Sequence, residues 1–548
     1  MGKTIAIKLL TLLVFFLHCV LFTHAQTRTV TGTVIGADGK GIPGVTVSVK
    51  GTNTATQTAE DGTYTITAAD NATLVLSSVG YGTSEIQVNG RTSITSSLAT
   101  ENANLSEVVV VGYGTARRRD VTGSTASVRE KDFNKGVFTS PDQLIQGKAA
   151  GVLVINNTGQ PGGSTTVRIR GASSIRSGNQ PLFVIDGVPL SGGAARPGGN
   201  GASYGSDGGN PLNFINPNDI ASIEILKDAS ATAIYGSRGA NGVVIITTKR
   251  GQSGVPQVDL NASVSASNIA KRLEVLNGNE YRQALKDYGA TSGDYGGNVD
   301  ALDEILRTGI TQNYNIAVGG GAENGRYRIS AGYLDQQGIV KTSELKKLTA
   351  NLVSNFRFLE SKKLGLDINV LVTQTNERIA PVSAFVGFTG NLISQALQWN
   401  PTLKLRTDSG FTRDPGGAST INPLAQLEYF DDQAKINSII ASISPSYRIT
   451  KELEYRFLYS VNRQVGIRRG QVDRRLNAEN IENRGQAFIG NQEQTNRQLT
   501  NTLNFNKQVT SGFNLNAVIG HEWLTFDTRG NGLSGQDFPN VGLNYYDL

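Results

Sequence analysis

Apolar and polar residues alternate along most of this chain, but the length of the alternating runs differs from one region to the next. Between residues 29 and 98 there are five short runs, 31–35, 45–50, 62–67, 72–78 and 83–88. Turn pairs such as Asp38-Gly39 and Asn89-Gly90 lie between them. Short strands bounded by turns at this spacing predict a small β-sandwich.

A different pattern occupies residues 181–251. Two β-branched apolar runs, 223–226 and 243–248, flank a short helical stretch at 229–235. Asp228 is placed to cap this helix, and Gly236 to end it. A strand, a short helix and a strand bounded by glycine-rich and proline-rich loops predict a compact α+β unit.

From residue 258 onward the alternating runs become longer, and we count about nine candidate strands of the length that a tilted membrane-spanning strand needs. They are 258–266, 314–318, 327–333, 347–357, 364–374, 436–449, 452–463, 494–507 and 512–523. Brief connections (320–325, 358–363) alternate with long ones (268–311, 374–435, 464–493), as in outer-membrane barrels. A large soluble sandwich also has alternating strands, so the pattern alone leaves both architectures open.

Composition excludes several classes of function. Lys and Arg number 51 against 45 Asp and Glu, and no basic stripe with interleaved aromatic residues occurs, so we expect no nucleic-acid partner. Residues 39–44 match GxGxxG, but a strand follows where a nucleotide site needs a helix. The prediction is therefore a protein without a nucleotide cofactor.

The first 25 residues predict a secretory signal peptide, with Lys3 and Lys8 before an apolar run and Ala25 at the cleavage site. Cleavage there removes the single Cys, the single Met and two of the three His, and leaves His521. Thiol catalysis, disulfides and Cys/His zinc sites are then excluded. We also find no isolated acidic pair in a glycine-rich cleft, so we predict no catalytic residue and no metal site, and the protein is not expected to be an enzyme.

Two segments are candidates for binding. One contains four consecutive valines, and its residues are Glu107, Val108, Val109, Val110, Val111, Gly112, Tyr113 and Gly114. An extended apolar segment between domains suits a partner that adds its own strand, but it is equally suited to be a strand of either neighbouring domain. The other segment, 191–209, is so rich in Gly and Ser that we expect an exposed, mobile loop.

The amino-acid sequences of several segments resemble those of the SusC/RagA family of TonB-linked outer-membrane proteins. The resemblance rests on LSEVVVVGYGTARRRDVTGS, QGKAAGVLVINNTGQPGG, VRIRGASSI, PLFVIDGVP and INPNDIASIEILKDASATAIYGSRGANGVVIITTKRG. The region TVTGTVIGADGKGIPGVTVSVKGT is similar to the carboxypeptidase-regulatory-like domain. The resemblance implies a mainly β protein. It has a regulatory-like sandwich at 26–100, a TonB box and linker at 101–120, and a plug at 121–251. Residues 252–548 form the first part of a 22-stranded transmembrane barrel.

The resemblance also implies a function. Residues Glu107 to Gly114 act as the TonB-interacting strand on the periplasmic side, and a SusD-like surface lipoprotein caps the barrel in the outer membrane of a Gram-negative bacterium. The substrate is a glycan oligosaccharide or a peptide, for which we expect Ser203, Tyr204 and Asp207 of the 191–209 loop to be substrate-facing. Alternatives are an outer-membrane signalling receptor and a soluble secreted binding protein. About nine strands do not close such a barrel, so we expect the sequence to be an N-terminal fragment.

Overall fold

The structure, a computed structural model, describes most of the chain from Thr27 to Leu548. The described ranges are 27–36, 39–52, 54–78, 81–98, 108–111, 114–117, 124–172, 174–175, 178–190, 192–199, 208–228, 232–359, 361–382, 391–415, 420–478, 481–510 and 513–548. They divide into two compact units at the bond between Val108 and Val109. Within these ranges, no helix combines the length and the apolar character needed to cross a membrane. The predicted signal peptide lies outside the described residues.

The first unit is the predicted β-sandwich. Its strands are β1 (Thr27–Ile35), β2 (Thr46–Val49), β3 (Ala55–Gln57), β4 (Thr63–Ala69), β5 (Thr73–Ser78), β6 (Tyr81–Gln87) and β7 (Ser93–Ser97). They form two sheets, of order β4-β1-β7 and β3-β2-β5-β6. Every second side chain, such as Val30, Val34 and Val47, points into one apolar core between the sheets. The five predicted strands are confirmed, and the prediction missed only β3 and β7, which are short and mostly polar.

The valine segment forms a small sheet of its own. Strand β8 (Val108–Val111) and strand β9 (Gly114–Arg117) make a two-stranded sheet. Among the described strands, β8 therefore belongs neither to the sandwich sheets nor to the sheets that follow, which were the two simpler interpretations of its sequence.

The second unit begins with an inner domain, as we call residues 124–251. Its strands are β10 (Thr125–Arg129), β11 (Val152–Asn156), β12 (Thr165–Ile169), β13 (Leu182–Ile185), β14 (Val188–Pro189), β15 (Ile220–Leu226) and β16 (Val243–Thr248). A five-stranded sheet has the order β10-β15-β16-β13-β14, while β11 and β12 pair separately. The short helix α1 (Pro141–Leu144) and the apolar faces of both sheets enclose one core. The predicted compact α+β unit is confirmed.

The helix predicted between β15 and β16 differs from the expectation. The described residues form two 3₁₀ turns within Ala233–Gly239, and they meet at Gly236, whose φ of 60° a residue without a Cβ adopts readily. Gly236 thus ends the first turn, but the helical stretch continues beyond it. The Asp228 carboxylate accepts a hydrogen bond from the backbone N–H of Ser124 and pairs with Arg170, and residues 229–231 lie outside the described part.

Nine long antiparallel strands make up most of the second unit. They are β17 (Gly254–Ser267), β18 (Gly309–Ala322), β19 (Gly325–Gln337), β20 (Glu344–Phe358), β21 (Leu364–Arg378), β24 (Phe430–Arg448), β25 (Leu453–Val472), β26 (Gln486–Thr510) and β27 (Phe513–Gln536). Each strand pairs with the next, so the sheet order is the chain order of these nine, from β17 to β27. All nine predicted strands are confirmed, and several extend well beyond the predicted bounds. In the described part of the chain the sheet is open, with β17 and β27 at its edges.

The two faces of this sheet have the opposite polarity to those of a soluble sheet, because polar side chains are buried and apolar side chains are exposed. In the strand pair β24 and β25, Ser442 and Ser460 are buried on one face. Their neighbours Ile443 and Tyr459, which lie opposite each other, are 42% and 38% exposed on the other face. The same arrangement recurs with Thr349 and Leu348 on β20. A soluble sheet hides its apolar face, whereas a barrel wall in lipid presents it outward and keeps a polar interior, so the question that the sequence left open is decided for the barrel.

Long connections at one end of the strands are folded. They contain helices α2 (Gly278–Asp287), α3 (Ala301–Ile305), α4 (Leu392–Gln398) and α5 (Pro423–Tyr429) and the small hairpin β22 (Arg406–Thr407) and β23 (Gly410–Phe411). Apolar side chains from α3, α4 and α5 share one core with Trp399, whose indole N–H donates to the Leu403 carbonyl at 2.8 Å. The opposite ends of the strands are joined by short turns such as 323–324 and 449–452. The predicted asymmetry is confirmed, except that the connection 338–343, at the long end, is also short.

Candidate functional site at the interface of inner domain and sheet

The residues predicted to bind partners are only partly within the described structure. Val108–Val111 form β8 and Gly114 begins β9, whereas Glu107, Gly112 and Tyr113 lie outside the described residues. Ser203, Tyr204 and Asp207 also lie outside them. The roles of all these residues therefore stay predictions.

The described part of the 191–209 loop is not the exposed loop that its composition predicts. Ala195, Arg196 and Pro197 are buried, although glycines on both sides are exposed. The backbone lies close to the sheet because Gly466 of β25 faces the Ala195 carbonyl, where a Cβ would clash. The expectation of exposure is therefore wrong for these three residues, since the sheet holds them by contacts far apart in the sequence.

Four charged side chains form a network that we call the charge quartet: Arg196 of the loop, Glu377 of β21, Asp432 of β24 and Arg468 of β25. Arg196 Nη1 lies 2.8 Å from Glu377 Oε2, and Arg468 donates to both carboxylate oxygens of Asp432 at 2.9 and 2.6 Å. Arg468 also donates to the Pro197 carbonyl. Each side chain is at most 2% exposed. Two cations and two anions balance, which is the condition under which charges are stably buried.

A lysine of the sheet makes a second buried attachment. Lys347 of β20 is 3% exposed, and its ammonium donates to the Thr139 carbonyl at 2.7 Å and to the Ile215 carbonyl at 3.0 Å. An ammonium offers three donors, so two carbonyls satisfy most of its hydrogen-bonding capacity. Lys347 thereby joins two distant segments of the inner domain to the sheet.

Residues 214–219 of the inner domain contact strands β18 to β21. Thr373 Oγ1 donates to the Phe214 carbonyl at 2.6 Å, and Asn216 Nδ2 donates to Asn315 Oδ1 at 2.9 Å. Arg328 lies 3.4 Å from Asp219. Burial raises the pKa of the Asp219 carboxyl, against the opposing effects of Ser330 and Arg328. Contacts of one domain with strands from β18 to β25 show that the sheet curves around it.

The other end of the inner domain, where the chain enters from β9, is held by an exposed contact that we call the entry clamp. The Ser124 N–H donates to Asp228 Oδ2 at 2.6 Å, and Arg170 pairs with the same carboxylate. The hydrogen bond from Ser124 is the main reason that the pKa of Asp228 is lowered. The side chains of Arg170 and Asp228 are 54% and 31% exposed, so water weakens the pair.

A cavity of about 910 Å³ lies between the inner domain and strands β17 to β19. One side is lined by Glu130, Phe133 and Asn134, and the other by polar side chains of the sheet such as Asn261 and Asn313. The described residues contain no cluster of three or more His, Cys, Asp or Glu side chains that could hold a metal ion. The inner domain is therefore held by buried contacts with the sheet and by an exposed contact at its point of entry, and it borders a polar space.

Sequence reasoning missed the charge quartet because its members are separated by 36 to 181 residues. One local signal was available, since Arg196 is the only basic residue in the glycine-rich stretch 191–209. A single cation in such a stretch is a candidate to form a buried ion pair with a distant residue.

Comparisons with known proteins agree with this architecture. Residues 117–243 match the TonB-dependent Receptor Plug Domain family, and residues 30–111 match the CarboxypepD_reg-like domain family. The chain is 36% identical to the TonB-dependent receptor SusC of Bacteroides thetaiotaomicron over 80% of this chain and 45% of that protein. It is 33% identical to the TonB-dependent receptor P3 of Formosa agariphila over 98% of this chain and 52% of that protein.

The fold is also similar to that of a solved structure, the RagAB peptide importer in its 'open-open' state. The TM-score is 0.66 at 22% identity, and the match covers 80% of this chain and 51% of that one. The chain thus spans about half the length of the relatives it matches. The two matched domains and the two relatives, together with a plug domain that packs against a polar-lined antiparallel sheet, show that the chain belongs to the SusC/RagA family of TonB-dependent receptors.

Proposed function

We propose that this chain is part of a TonB-dependent importer in the outer membrane that takes up glycan oligosaccharides or peptides. The observation that carries the proposal is the inverted sheet, whose apolar outer face suits lipid and whose polar inner face is occupied by the plug domain. A wall of this kind makes a passage through a membrane. A plug domain inside the wall closes this passage until the plug moves.

The segment 107–114 is the place where force is applied in this proposal. Strand β8 pairs with β9 in a sheet of only two described strands, so one edge of β8 is open to a further strand among the described residues. A TonB strand added at that edge forms a ladder of backbone hydrogen bonds, which share a load along the chain. In this scheme the sandwich lies in the periplasm, on the same side as TonB.

The substrate and the outer partner are proposed from the relatives. One relative is named SusC, and the neighbour of similar fold is a peptide importer called RagAB. We propose that a SusD-like surface lipoprotein delivers the substrate to this receptor. We also propose that Ser203, Tyr204 and Asp207 face the substrate.

Uptake by cells that produce the full-length receptor tests the proposal. The probe is a pool of mixed oligosaccharides together with a tryptic digest of casein, and the loss of each component from the medium is followed by mass spectrometry. The variant is Val109→Asp, which places a charge in the strand that TonB must pair. The matched control is Thr83→Asp, which places the same charge at an exposed position of sandwich strand β6.

We expect the wild-type receptor and Thr83→Asp to deplete at least one component, and Val109→Asp to lose this uptake while the barrel stays inserted in the outer membrane. Uptake by Val109→Asp at the wild-type rate would refute the role of the segment. A wild-type receptor that depletes no component of either class would refute the proposed substrates.

A further inference from the structure

A groove lies on the outward, apolar face of the sheet, which is the face that a barrel presents to lipid. It has a volume of about 380 Å³ and crosses strands β20, β21, β24 and β25, and we call it the outer groove. Its apolar lining consists of side chains on that face: Leu348, Ala350, Val372, Ile439 and Val465. The volume is within the range of pockets that hold small ligands, about 300–1,000 Å³.

The groove exists because a small residue lies among larger ones. Ala350 of β20 is paired with Val372, and Val372 is paired with Ile439, so the three form one row across the sheet. The lining also reaches Thr349 and Thr373, whose side chains are buried on the inner face, so the floor of the groove is the backbone of the strands. A depression of this depth in a lipid-facing wall accommodates an acyl chain, since an empty space would deprive its lining of dispersion contacts.

One end of the groove is polar. Gln374 and Asn437, which are directly paired, and Arg463 complete this part of the lining. Asn437 lies nearer than Ile439 to the end of β24 that carries the long connection, and Lys435 lies two residues further in that direction. Lys435 is exposed on the same face as Asn437, because alternate residues of a strand share a face. The groove therefore changes from apolar to cationic along the strand, as a lipid does in the opposite sense of charge from its chain to an anionic headgroup.

The cations at this end are available to an anion. Arg463 Nε donates to Glu493 Oε1 at 2.9 Å, but the two side chains are 55% and 41% exposed, so the pair is weak. No ion pair joins Lys435 to another residue of the described ranges. Two cations beside one carboxylate leave a net positive charge, which attracts an anionic headgroup more strongly than a zwitterionic one.

We propose that the outer groove binds one acyl chain of a phosphorylated, anionic lipid of the outer leaflet, with the phosphate between Lys435 and Arg463. Both side chains have long apolar stems, which lie along an apolar wall while the charged ends stay at the membrane surface. The site goes beyond the proposed import, because it needs a wall in lipid but involves neither TonB nor the imported substrate. A bound lipid fills the depression and neutralises cations that would otherwise border it.

Native mass spectrometry of the purified full-length receptor in an uncharged detergent tests this site. The probe is dimyristoylphosphatidic acid, and the comparison is dimyristoylphosphatidylcholine, which has the same chains and a zwitterionic headgroup. The competitor is glycerol 3-phosphate, which has the phosphate but no chain. Ala350→Phe fills the groove, and its control is Ala262→Phe, at an exposed position on the outward face of β17, where Ala262 is paired with Tyr314.

Charge variants test the headgroup end of the groove. Lys435→Gln removes one cation, and its control is Lys451→Gln, at an exposed position in the short turn at the opposite end of the strands. Glu493→Gln keeps Arg463 and removes its partner, which frees the guanidinium for a phosphate. We expect Lys435→Gln to weaken binding of phosphatidic acid about fivefold, the effect of one cation near an anionic lipid, and Glu493→Gln to strengthen it. Lys451→Gln and Ala262→Phe should bind like the wild type.

We expect saturable binding of phosphatidic acid that is tighter than binding of phosphatidylcholine, that glycerol 3-phosphate does not displace, and that Ala350→Phe abolishes. Equal binding of the two lipids, displacement by an equal concentration of glycerol 3-phosphate, or wild-type binding by Ala350→Phe would overturn the proposal. Val372→Phe, at the next position of the same row, replaces Ala350→Phe if that variant does not fold. The measurement contains neither TonB nor an import substrate, so its failure is separate from a failure of the uptake test.

Discussion

Arg196 and Glu377 are 181 residues apart in the sequence, yet their side chains meet in one of the most buried places of the second unit. The loop that carries Arg196 has little apolar surface of its own, because glycine and serine dominate it. Its position therefore depends on the quartet. The charges act as a specific attachment, since a misplaced loop would separate Arg196 from Glu377 and take the Pro197 carbonyl away from Arg468.

Glu377→Gln tests this attachment, because it keeps the shape of the side chain and removes its charge. Loss of one partner from a buried pair costs about 3–5 kcal/mol. We expect hydrogen exchange of residues 192–199 to accelerate at least tenfold. The control is Glu428→Gln, whose partner Arg406 lies at 3.1 Å with both side chains more than half exposed. Exchange near that hairpin should change by no more than about fivefold. Equal effects of the two variants would contradict the role of the quartet.

Glu224 in the centre of the inner-domain sheet gives a prediction about pH. It is 3% exposed, Ser222 Oγ donates to one carboxylate oxygen at 2.7 Å, and the other oxygen has no hydrogen-bond partner. Burial raises the pKa of Glu224 above its ordinary value of 4.5. A raised folded-state pKa means that the folded domain retains the proton more strongly than the unfolded chain. The stabilisation is complete below the ordinary pKa and is lost as the pH rises through the folded pKa.

We expect Glu224→Gln to remove this loss of folding stability at high pH. Protection of β15 from hydrogen exchange, corrected for the intrinsic rate, should fall with rising pH in the wild type and stay level in the variant. At pH 7 the variant should be the more stable, by about 1.4 kcal/mol for each unit by which the pKa is raised. A variant that is less stable than the wild type at pH 7 would show that the carboxylate is needed.

At the scale of elements, regular patterns were predictable and long-range attachments were not. Strand β16 has the predicted bounds 243–248, because its residues are continuously β-branched and glycine precedes them. Strand β26 extends to 25 residues, and its added N-terminal part contains the consecutive apolar residues Ala487, Phe488 and Ile489, which do not alternate with polar ones, so periodicity could not reveal it. The buried loop at 195–197 had no apolar periodicity to predict it, since Glu377 and Arg468, which bond Arg196 and Pro197, lie on two distant strands. Prediction therefore failed where the contacts are non-local.

The apolar outward face of the sheet leads to a prediction about folding in the membrane. Ile443→Arg places a cation in the apolar row where Ile443 faces Tyr459, and a cation on the lipid side costs about 2–4 kcal/mol at mid-membrane. We expect a reduced fraction of folded, heat-modifiable receptor in outer-membrane preparations. The control is Ile175→Arg, at an apolar residue of the inner domain that is fully exposed. If both variants fold like the wild type, the outward face is not in lipid.

At the scale of the whole molecule, the chain combines a sandwich unit with a second unit in which a plug lies against nine strands. It spans about half the length of its curated relatives, and the open edges at β17 and β27 belong to that half. The expectation that the sequence is an N-terminal fragment stays a prediction. The proposed import requires the full-length receptor, so the decisive measurement is made on that protein in cells.

The closing experiment compares energised uptake by the wild type and Val109→Asp, with and without a protonophore. We expect the wild type to deplete an oligosaccharide or a peptide from the pool only while the proton gradient is intact. We expect Val109→Asp to lose this uptake and Thr83→Asp to keep it. Uptake that survives the protonophore, or that Val109→Asp retains in full, would contradict a plug released by force on the 107–114 segment.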